Sequence, residues 1–225
     1  MQSSIRPGRP EPRIVLQPLA APSVLGYFAL ASALIVYGSW FAGGWGTEKD
    51  PESFFPFLLL FGGVGQLGAA LWSYRARSAV GAALHGSWAA FWMGVGLIYL
   101  LVATKTITVP PRDAHWGSLG QWMIYMSVIS FTTAFADLAR DHTGFIAQAV
   151  LGAGAACAAV GLLLGSSGWQ EAAGWVFVAA AAVAIVHGTA LMFGAVYGRD
   201  LLPHRGGQTE PVAYPGGDPG VKVGQ

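Results

Sequence analysis

Long uncharged hydrophobic segments alternate with short polar clusters along the chain. The segments without Asp, Glu, Lys or Arg cover residues 14–47, 53–74, 78–104, 114–136, 143–170 and 172–198. A membrane-spanning helix needs about 20 mostly apolar residues, so each segment is long enough to cross a bilayer. The pattern predicts six transmembrane helices, near residues 24–41, 54–74, 79–103, 117–136, 144–165 and 172–197.

The spans are predicted to be helices because backbone groups in lipid must satisfy their hydrogen bonds internally, and no segment shows the alternation of a barrel strand. The sequence therefore predicts an all-α polytopic protein with a six-helix transmembrane domain at residues 21–203. The first span follows a long polar segment and is expected to be retained rather than cleaved as a signal peptide. The tails, residues 1–20 and 204–225, are rich in Pro, Gly and polar residues and are expected to be disordered.

The distribution of basic residues predicts the orientation. Nine Lys and Arg fall in the two tails and in the second and fourth loops, whereas Lys49, Lys105 and Arg112 fall on the opposite side. By the positive-inside rule the nine belong to the cytoplasm, which places both termini there. Arg is more frequent than Lys and Ala and Gly are abundant, so a bacterial plasma membrane is the expected location.

Composition narrows the function classes. The chain is 54% hydrophobic and 10% charged, and its net charge of +1 provides no field that would attract nucleic acid. Its one cysteine, Cys157, excludes an intrachain disulfide and a cysteine-based zinc site. No segment resembles a nucleophile with a base, a phosphate-binding loop or a metal cluster, so neither an enzyme nor a metal or cofactor is expected.

The third span carries one polar and aromatic face. His85, Trp88, Trp92 and Tyr99 follow one another at i, i+3, i+7 and i+14, which places them on one side of a helix. An imidazole facing lipid is costly, so this face is expected to look into the bundle. Two interpretations remain open at this point, a solute pathway and a contact between helices.

His187 is the second histidine deep in a span, so a haem bound between His85 and His187 has to be considered. Counting from Arg77 and Arg199, the two histidines differ in height by roughly 6 Å at 1.5 Å per residue. A haem with two histidine ligands needs matched heights, and this mismatch argues against it.

Several short motifs, in order, resemble the acetate uptake transporter family, typified by the bacterial succinate-acetate permease. The second span has Gly62-Gly63-x-x-Gln66, and Tyr74-Arg75 and Gly81 follow, similar to the family's GGxxQ, EYxx and G pattern. The third span has Ser87-Trp88-Ala89-Ala90-Phe91-Trp92, which resembles S-Y-G-S-F-W. Gln148 and the segment from Tyr197 to Pro203, similar to FGRxxLP, complete the series.

The chain departs from the family at two points. The family signature N-P-A-P-L-G-L stands here as Ala21-Pro22-Ser23-Val24-Leu25-Gly26-Tyr27, of which Pro22, Leu25 and Gly26 match. Leu191 replaces the family's acidic residue in the sixth span.

The resemblance implies a hexamer in lipid, each protomer having a narrow pore for acetate or a similar small carboxylate, with protons as a possible co-substrate. The family's constriction maps to Leu30 and Trp88, and donors for the carboxylate charge are expected at the start of the first helix and at Gln66, Ser87 and His85. The residues expected along the pathway are Ser23, Leu25, Gly26, Tyr27, Leu30, Gln66, His85, Ser87, Trp88, Gln148 and His187.

Two other functions remain open. The incomplete first-helix signature and the lack of acidic residues within the spans also fit a pore for a neutral solute such as urea or ammonia. The second of these functions is that of a membrane scaffold or sensor, which retains the fold but does not transport a solute.

Overall fold

The computed structural model describes residues 20–43, 50–108, 116–138, 141–197 and 202. Six long helices contain most of these residues, and they confirm the predicted all-α, six-helix architecture. The helices are α1 (Pro22–Phe41), α2 (Pro56–Arg75), α3 (Ala79–Ala103), α4 (Gly117–Asp137), α5 (His142–Leu164) and α6 (Ser167–Tyr197). Except for Ala20, the two tails that the sequence predicts to be disordered lie outside the described residues.

The helices form a closed ring. Each helix packs against the next one in sequence, and α1 packs against α6 to complete the circle. Consecutive helices run in opposite directions, so α1, α3 and α5 all begin at one end of the bundle. We call this the near end, and the end at which α2, α4 and α6 begin is the far end.

Five of the six helices are long and apolar enough to cross a membrane, and α4 is the exception. With 21 residues, α4 is about 30 Å long at 1.5 Å per residue, so its length suffices. Its hydroxyl residues lower its hydropathy, but Ser130, Thr132 and Thr133 each donate to a carbonyl one turn earlier in the same helix. These bonds satisfy the hydroxyl donors without a partner from outside the helix.

Local sequence signals set the helix ends at the near end of the bundle. Pro22 opens α1, where its missing N–H is not needed. Ser78 caps α3 by accepting a hydrogen bond from the backbone N–H of Gly81 at 3.2 Å, and Asp141 caps α5 by accepting one from Gly144 at 2.8 Å. Ser and Asp are favoured at this position because their side chains replace a missing backbone acceptor.

The first half of α2 is a π-helix, which the sequence pattern does not predict. Residues Pro56–Gly65 have this wider winding before the chain continues as an α-helix over Gln66–Arg75. Gly62 and Gly63 lie in the wide segment, and a Cβ added to them would come within 2.7 Å of Ala33 Cβ and 2.5 Å of Met93 Cγ, respectively. The glycine pair therefore permits close packing of this segment against α1 and α3. π-Helical turns are uncommon and often occur near functional sites.

Aromatic side chains fill the middle of the ring. The polar and aromatic face of α3 points inward as predicted, since His85, Trp88, Trp92 and Tyr99 are at most 2% exposed. Rings from α1, α3 and α6 complete this core, and edge-to-face contacts join them, such as Trp88 with Phe177 and Tyr37 with Trp92.

Candidate functional site

An open cavity of about 190 Å³ lies at the near end of the bundle. We call it the vestibule. Five of the six helices or their caps contribute to its wall, because the starts of α1, α3 and α5 meet there with the end of α4 and the last turns of α6. Its polar lining consists of Ser23, Tyr27, Ser78, His85, Asp137, Asp141 and His187.

Tyr27 lies between the two deep histidines at the base of the vestibule. Its ring centroid is 5.2 Å from that of His85 and 4.5 Å from that of His187, both in edge-to-face geometry. The phenol oxygen accepts a hydrogen bond from Nε2 of Gln148 at 3.3 Å. The tyrosine ring occupies the space between the imidazoles, so the two histidines share a polar cluster and do not face each other across an open gap.

His85 is held by Gln66 and by the absence of a side chain at Gly26. Nδ1 of His85 and Oε1 of Gln66 are 3.4 Å apart, and both side chains are fully buried. A Cβ on Gly26 would overlap the imidazole ring, so only glycine permits this approach of α1 to α3. Among the described residues, Nε2 of His85 and Nε2 of Gln66 have no hydrogen-bond partner, which leaves two buried groups available to a ligand.

Two carboxylates that the sequence analysis did not assign to the pathway join this cluster. Nε2 of Gln148 donates to Oδ2 of Asp137 at 2.6 Å, and Nε2 of His187 lies 3.3 Å from Oδ2 of Asp141. Asp141 thus caps α5 with one oxygen and contacts His187 with the other. The cap is recognisable from an Asp that stands a few residues before an apolar run. Its contact with α6 depends on how the helices pack into the ring.

Leu30 and Trp88, the predicted constriction residues, lie in the buried core, at 2% and 0% exposure, respectively. The indole N–H of Trp88 donates to Oγ of Ser130 at 3.0 Å, and Ser130 in turn donates to the carbonyl of Met126 at 2.7 Å. The indole is therefore fixed between α3 and α4. Phe91 and Trp92 pack around it, with centroids 5.3 and 5.7 Å from that of Trp88.

Two predicted pathway residues lie away from the cluster. Leu25 is 46% exposed on the outer face of α1, because a helix turns about 200° between position 25 and Tyr27. Ser87 faces α4, where its hydroxyl is 3.2 Å from that of Tyr125 in an exposed position. Of the other predicted residues, Ser23 lines the vestibule and Gly26, Tyr27, Gln66, His85, Gln148 and His187 form the cluster.

Comparison with known proteins agrees with this architecture. The sequence model of the GPR1/FUN34/yaaH family matches residues 2–196. A solved structure described as that of the bacterial acetate channel SatP superposes with a TM-score of 0.71 at 22% identity, covering 83% of this chain and 99% of that chain. No individually curated protein sequence matches this chain.

The family match covers nearly the whole helical region, and the structural match shows that the six-helix fold is shared. The resemblance noted from the sequence motifs is therefore confirmed. The members of the family are membrane channels and transporters rather than enzymes. This chain is a multi-pass membrane protein that belongs to the GPR1/FUN34/yaaH family.

Proposed function

We propose that this protein conducts acetate or a similar short-chain carboxylate across the membrane, through a narrow pathway along the axis of each protomer. One observation carries the proposal: the vestibule reaches buried polar groups that lie next to a packed aromatic core. Its volume of about 190 Å³ is below the roughly 300–1,000 Å³ of pockets for drug-sized ligands, so it has room for a small solute such as acetate.

The groups along this path match the two halves of a short carboxylate. Gln66 has a buried Nε2 without a partner among the described residues, and this group can donate to a carboxylate. Because Nδ1 of His85 donates to Oε1 of Gln66, Nε2 of His85 adds a second donor when the ring carries both protons. Leu30 and Trp88 provide an apolar surface for the alkyl part. Selectivity in such pores follows from the width of the path and the donors that line it.

The electrostatic repulsion between the acidic residues of the vestibule and an anion is reduced by their hydrogen-bond partners. Asp137 accepts a hydrogen bond from Gln148, and Asp141 accepts bonds from Gly144 and Thr143 and contacts His187. Hydrogen-bond donors and a nearby imidazole offset part of a carboxylate's negative potential. We further propose that His187 and Asp141 are the groups that exchange a proton if transport is proton-linked.

Uptake by proteoliposomes tests the proposal. Purified protein is reconstituted, and the entry of labelled acetate is compared with that of labelled urea and with protein-free vesicles. We expect acetate uptake above the protein-free control and competition by propionate. Acetate entry no faster than in empty vesicles would reject carboxylate transport.

A neutral solute is the second candidate, and a specific feature favours it. Asp137 and Asp141 place two carboxylates in the vestibule wall, and the apolar Leu191 also lines it. Such a wall suits urea or ammonia, which carry no negative charge. Urea entry without acetate entry would support this candidate, and entry of neither would support a membrane scaffold or sensor.

Three features of the cellular context are part of the proposal. Family resemblance favours a hexamer, which cross-linking in native membranes and mass measurement in detergent can test. The charge pattern favours a bacterial plasma membrane with both termini in the cytoplasm, so that the near end of the bundle faces the cytoplasm. The vestibule would then be the cytoplasmic mouth.

A further inference from the structure

The ring of Tyr27 lies between the vestibule and the aromatic core. Tyr27 lines the vestibule, and Leu30 and Ala31 follow one turn deeper on the same side of α1. All three residues are at most 4% exposed. Because positions three and four apart share a helix face, a solute on the proposed path toward Trp88 meets the Tyr27 ring before it meets Leu30.

Two glycines bring the neighbouring helices against this ring. A Cβ on Gly26 would overlap the imidazole of His85, which itself contacts the Tyr27 ring from α3. A Cβ built on Gly188 of α6 would lie 3.4 Å from Cβ of Tyr27, and His187 contacts the ring from the same helix. Small residues permit such close helix contacts in a membrane. The ring therefore fills the space between α3 and α6.

A hydrogen bond fixes the far edge of the ring. Nε2 of the fully buried Gln148 donates to the Tyr27 hydroxyl at 3.3 Å and to Oδ2 of Asp137 at 2.6 Å. The short bond to Asp137 orients the amide, so that its N–H groups remain on the side of Tyr27. A tyrosine ring leaves its place by changing rotamer, and that movement would break the bond to Gln148.

We propose that Tyr27 is a second constriction of the pathway, which closes the vestibule from the core until the ring changes rotamer. The bond from Gln148 holds the ring in the closed position. This constriction lies on the near side of the one expected at Leu30 and Trp88. Its effect on substrate choice rests on the proposed carboxylate transport, although the closure itself does not.

Alkylation of a single cysteine behind the ring tests the closure. Cys157→Ala gives a cysteine-free chain, and Leu30→Cys then places a thiol one turn beyond Tyr27. The reagent is iodoacetamide, which is small and neutral, so its access does not depend on carboxylate transport. In detergent we expect slow alkylation of this thiol and clearly faster alkylation once Tyr27→Leu is added. The mass increase of the intact protein measures the rate.

Tyr27→Phe tests the hydrogen bond separately from the ring. This variant keeps the ring but loses the bond to Gln148, so the open arrangement becomes more populated. We expect the alkylation rate of Leu30→Cys to rise roughly two- to tenfold, the worth of one hydrogen bond between neutral groups. The rise should be smaller than that caused by Tyr27→Leu, which removes the ring as well.

Phe28→Leu is the matched control variant. Phe28 is the next residue of α1, is half-buried and also lies near Gly188, but it does not line the vestibule. This variant should leave the alkylation rate of Leu30→Cys unchanged. A second control places the thiol elsewhere, by Ser39→Cys in the last turn of α1 at the far end, where Oγ of Ser39 is buried. Tyr27→Leu should not change the alkylation rate at that position, because the ring does not shield it.

Transport shows the effect of the constriction on substrate choice. Two barriers in series both limit the flux of a larger solute, so we expect Tyr27→Leu to raise the ratio of butyrate to acetate uptake by proteoliposomes. Phe28→Leu is expected to keep the wild-type ratio.

The outcomes distinguish the constriction from the transport proposal. Faster alkylation of Leu30→Cys in the Tyr27→Leu variant supports the constriction even if no acetate enters vesicles, in which case only the transport proposal fails. The constriction is overturned if Tyr27→Leu leaves that rate unchanged, or if it accelerates Ser39→Cys equally, since the ring would then only stabilise the fold. A wild-type rate in Tyr27→Phe overturns the role of the bond from Gln148. A wild-type uptake ratio in an actively transporting Tyr27→Leu variant overturns the effect on substrate choice.

Discussion

At the scale of single residues, Trp88 is the side chain on which substrate size is expected to depend. It is fully buried in the aromatic core, and one hydrogen bond to Ser130 fixes its indole. Trp88→Ala removes the largest ring of the predicted constriction, so we expect the ratio of butyrate to acetate uptake to rise. A cost of about 3–5 kcal/mol in unfolding free energy accompanies the cavity.

Proteoliposome uptake of the two labelled acids measures this ratio, and Trp88→Leu provides a milder variant should the alanine variant fail to fold. Trp72→Ala, which truncates a tryptophan that is 53% exposed on α2, is the control and should leave the ratio unchanged. The constriction assignment fails if the well-folded Trp88 variants keep the wild-type ratio.

Gly26 and Gly68 give a matched pair for the second residue-scale prediction. A Cβ on Gly26 would overlap the ring of His85, whereas one on Gly68 would meet only Cδ2 of Leu25 at 3.9 Å. Alanine in a helix is otherwise favoured over glycine by about 1 kcal/mol. We therefore expect Gly26→Ala to lower the thermal unfolding midpoint in detergent and Gly68→Ala to maintain or raise it. Equal midpoints for the two variants would contradict the close approach of α1 to His85.

At the scale of helices, the start of α5 combines capping with contact to α6. One carboxylate oxygen of Asp141 caps the helix, and the other lies 3.3 Å from His187. Asn is also a good N-cap, whereas loss of a cap costs about 0.5–2 kcal/mol. Asp141→Ala is therefore expected to increase hydrogen exchange at the Gly144 amide, while Asp141→Asn should preserve that protection and lose only the charge at His187.

Hydrogen exchange followed by mass spectrometry of the α5 peptide checks this difference. If the Asn variant exchanges as fast as the Ala variant, capping by residue 141 does not hold the first turn of α5. If both exchange as slowly as wild type, neighbouring helices hold the turn without the cap.

At the scale of the whole molecule, the number of membrane crossings depends on whether α4 spans the bilayer. It is the helix that fails the hydropathy criterion for a span, although the closed ring requires it to run the full height of the bundle. Cys157→Ala gives a cysteine-free background, because the chain has one cysteine. Single cysteines can then be placed at exposed positions at either end of α4.

We expect a membrane-impermeant maleimide to label Ser118→Cys in intact cells and Leu138→Cys only after permeabilisation. Ser53→Cys should behave like the former and Ala76→Cys like the latter, which fixes the predicted orientation of the near end toward the cytoplasm. Labelling of positions 118 and 138 from one side would show that α4 does not span, and a complete reversal would place the termini outside.

The helices could be predicted from the sequence because hydrocarbon imposes a simple rule: a segment without charges and about 20 residues long must form a helix that bonds its own backbone. The bounds of α3 agree with the prediction, and the others differ by at most a few residues, mainly where Ser167 extends α6 backwards. The inward face of α3 was also predictable, since helical periodicity places His85 and Trp88 on one side.

The tertiary structure decided which residues meet. Asp137 and Asp141 read in sequence as charges at a helix end, but the closure of α1 onto α6 places them against Gln148 and His187. Sequence alone determined the spans because insertion in lipid depends on each segment's own polarity. Which side chains meet inside the bundle depends on how each helix is rotated and how closely its neighbours approach, and helix packing determines both.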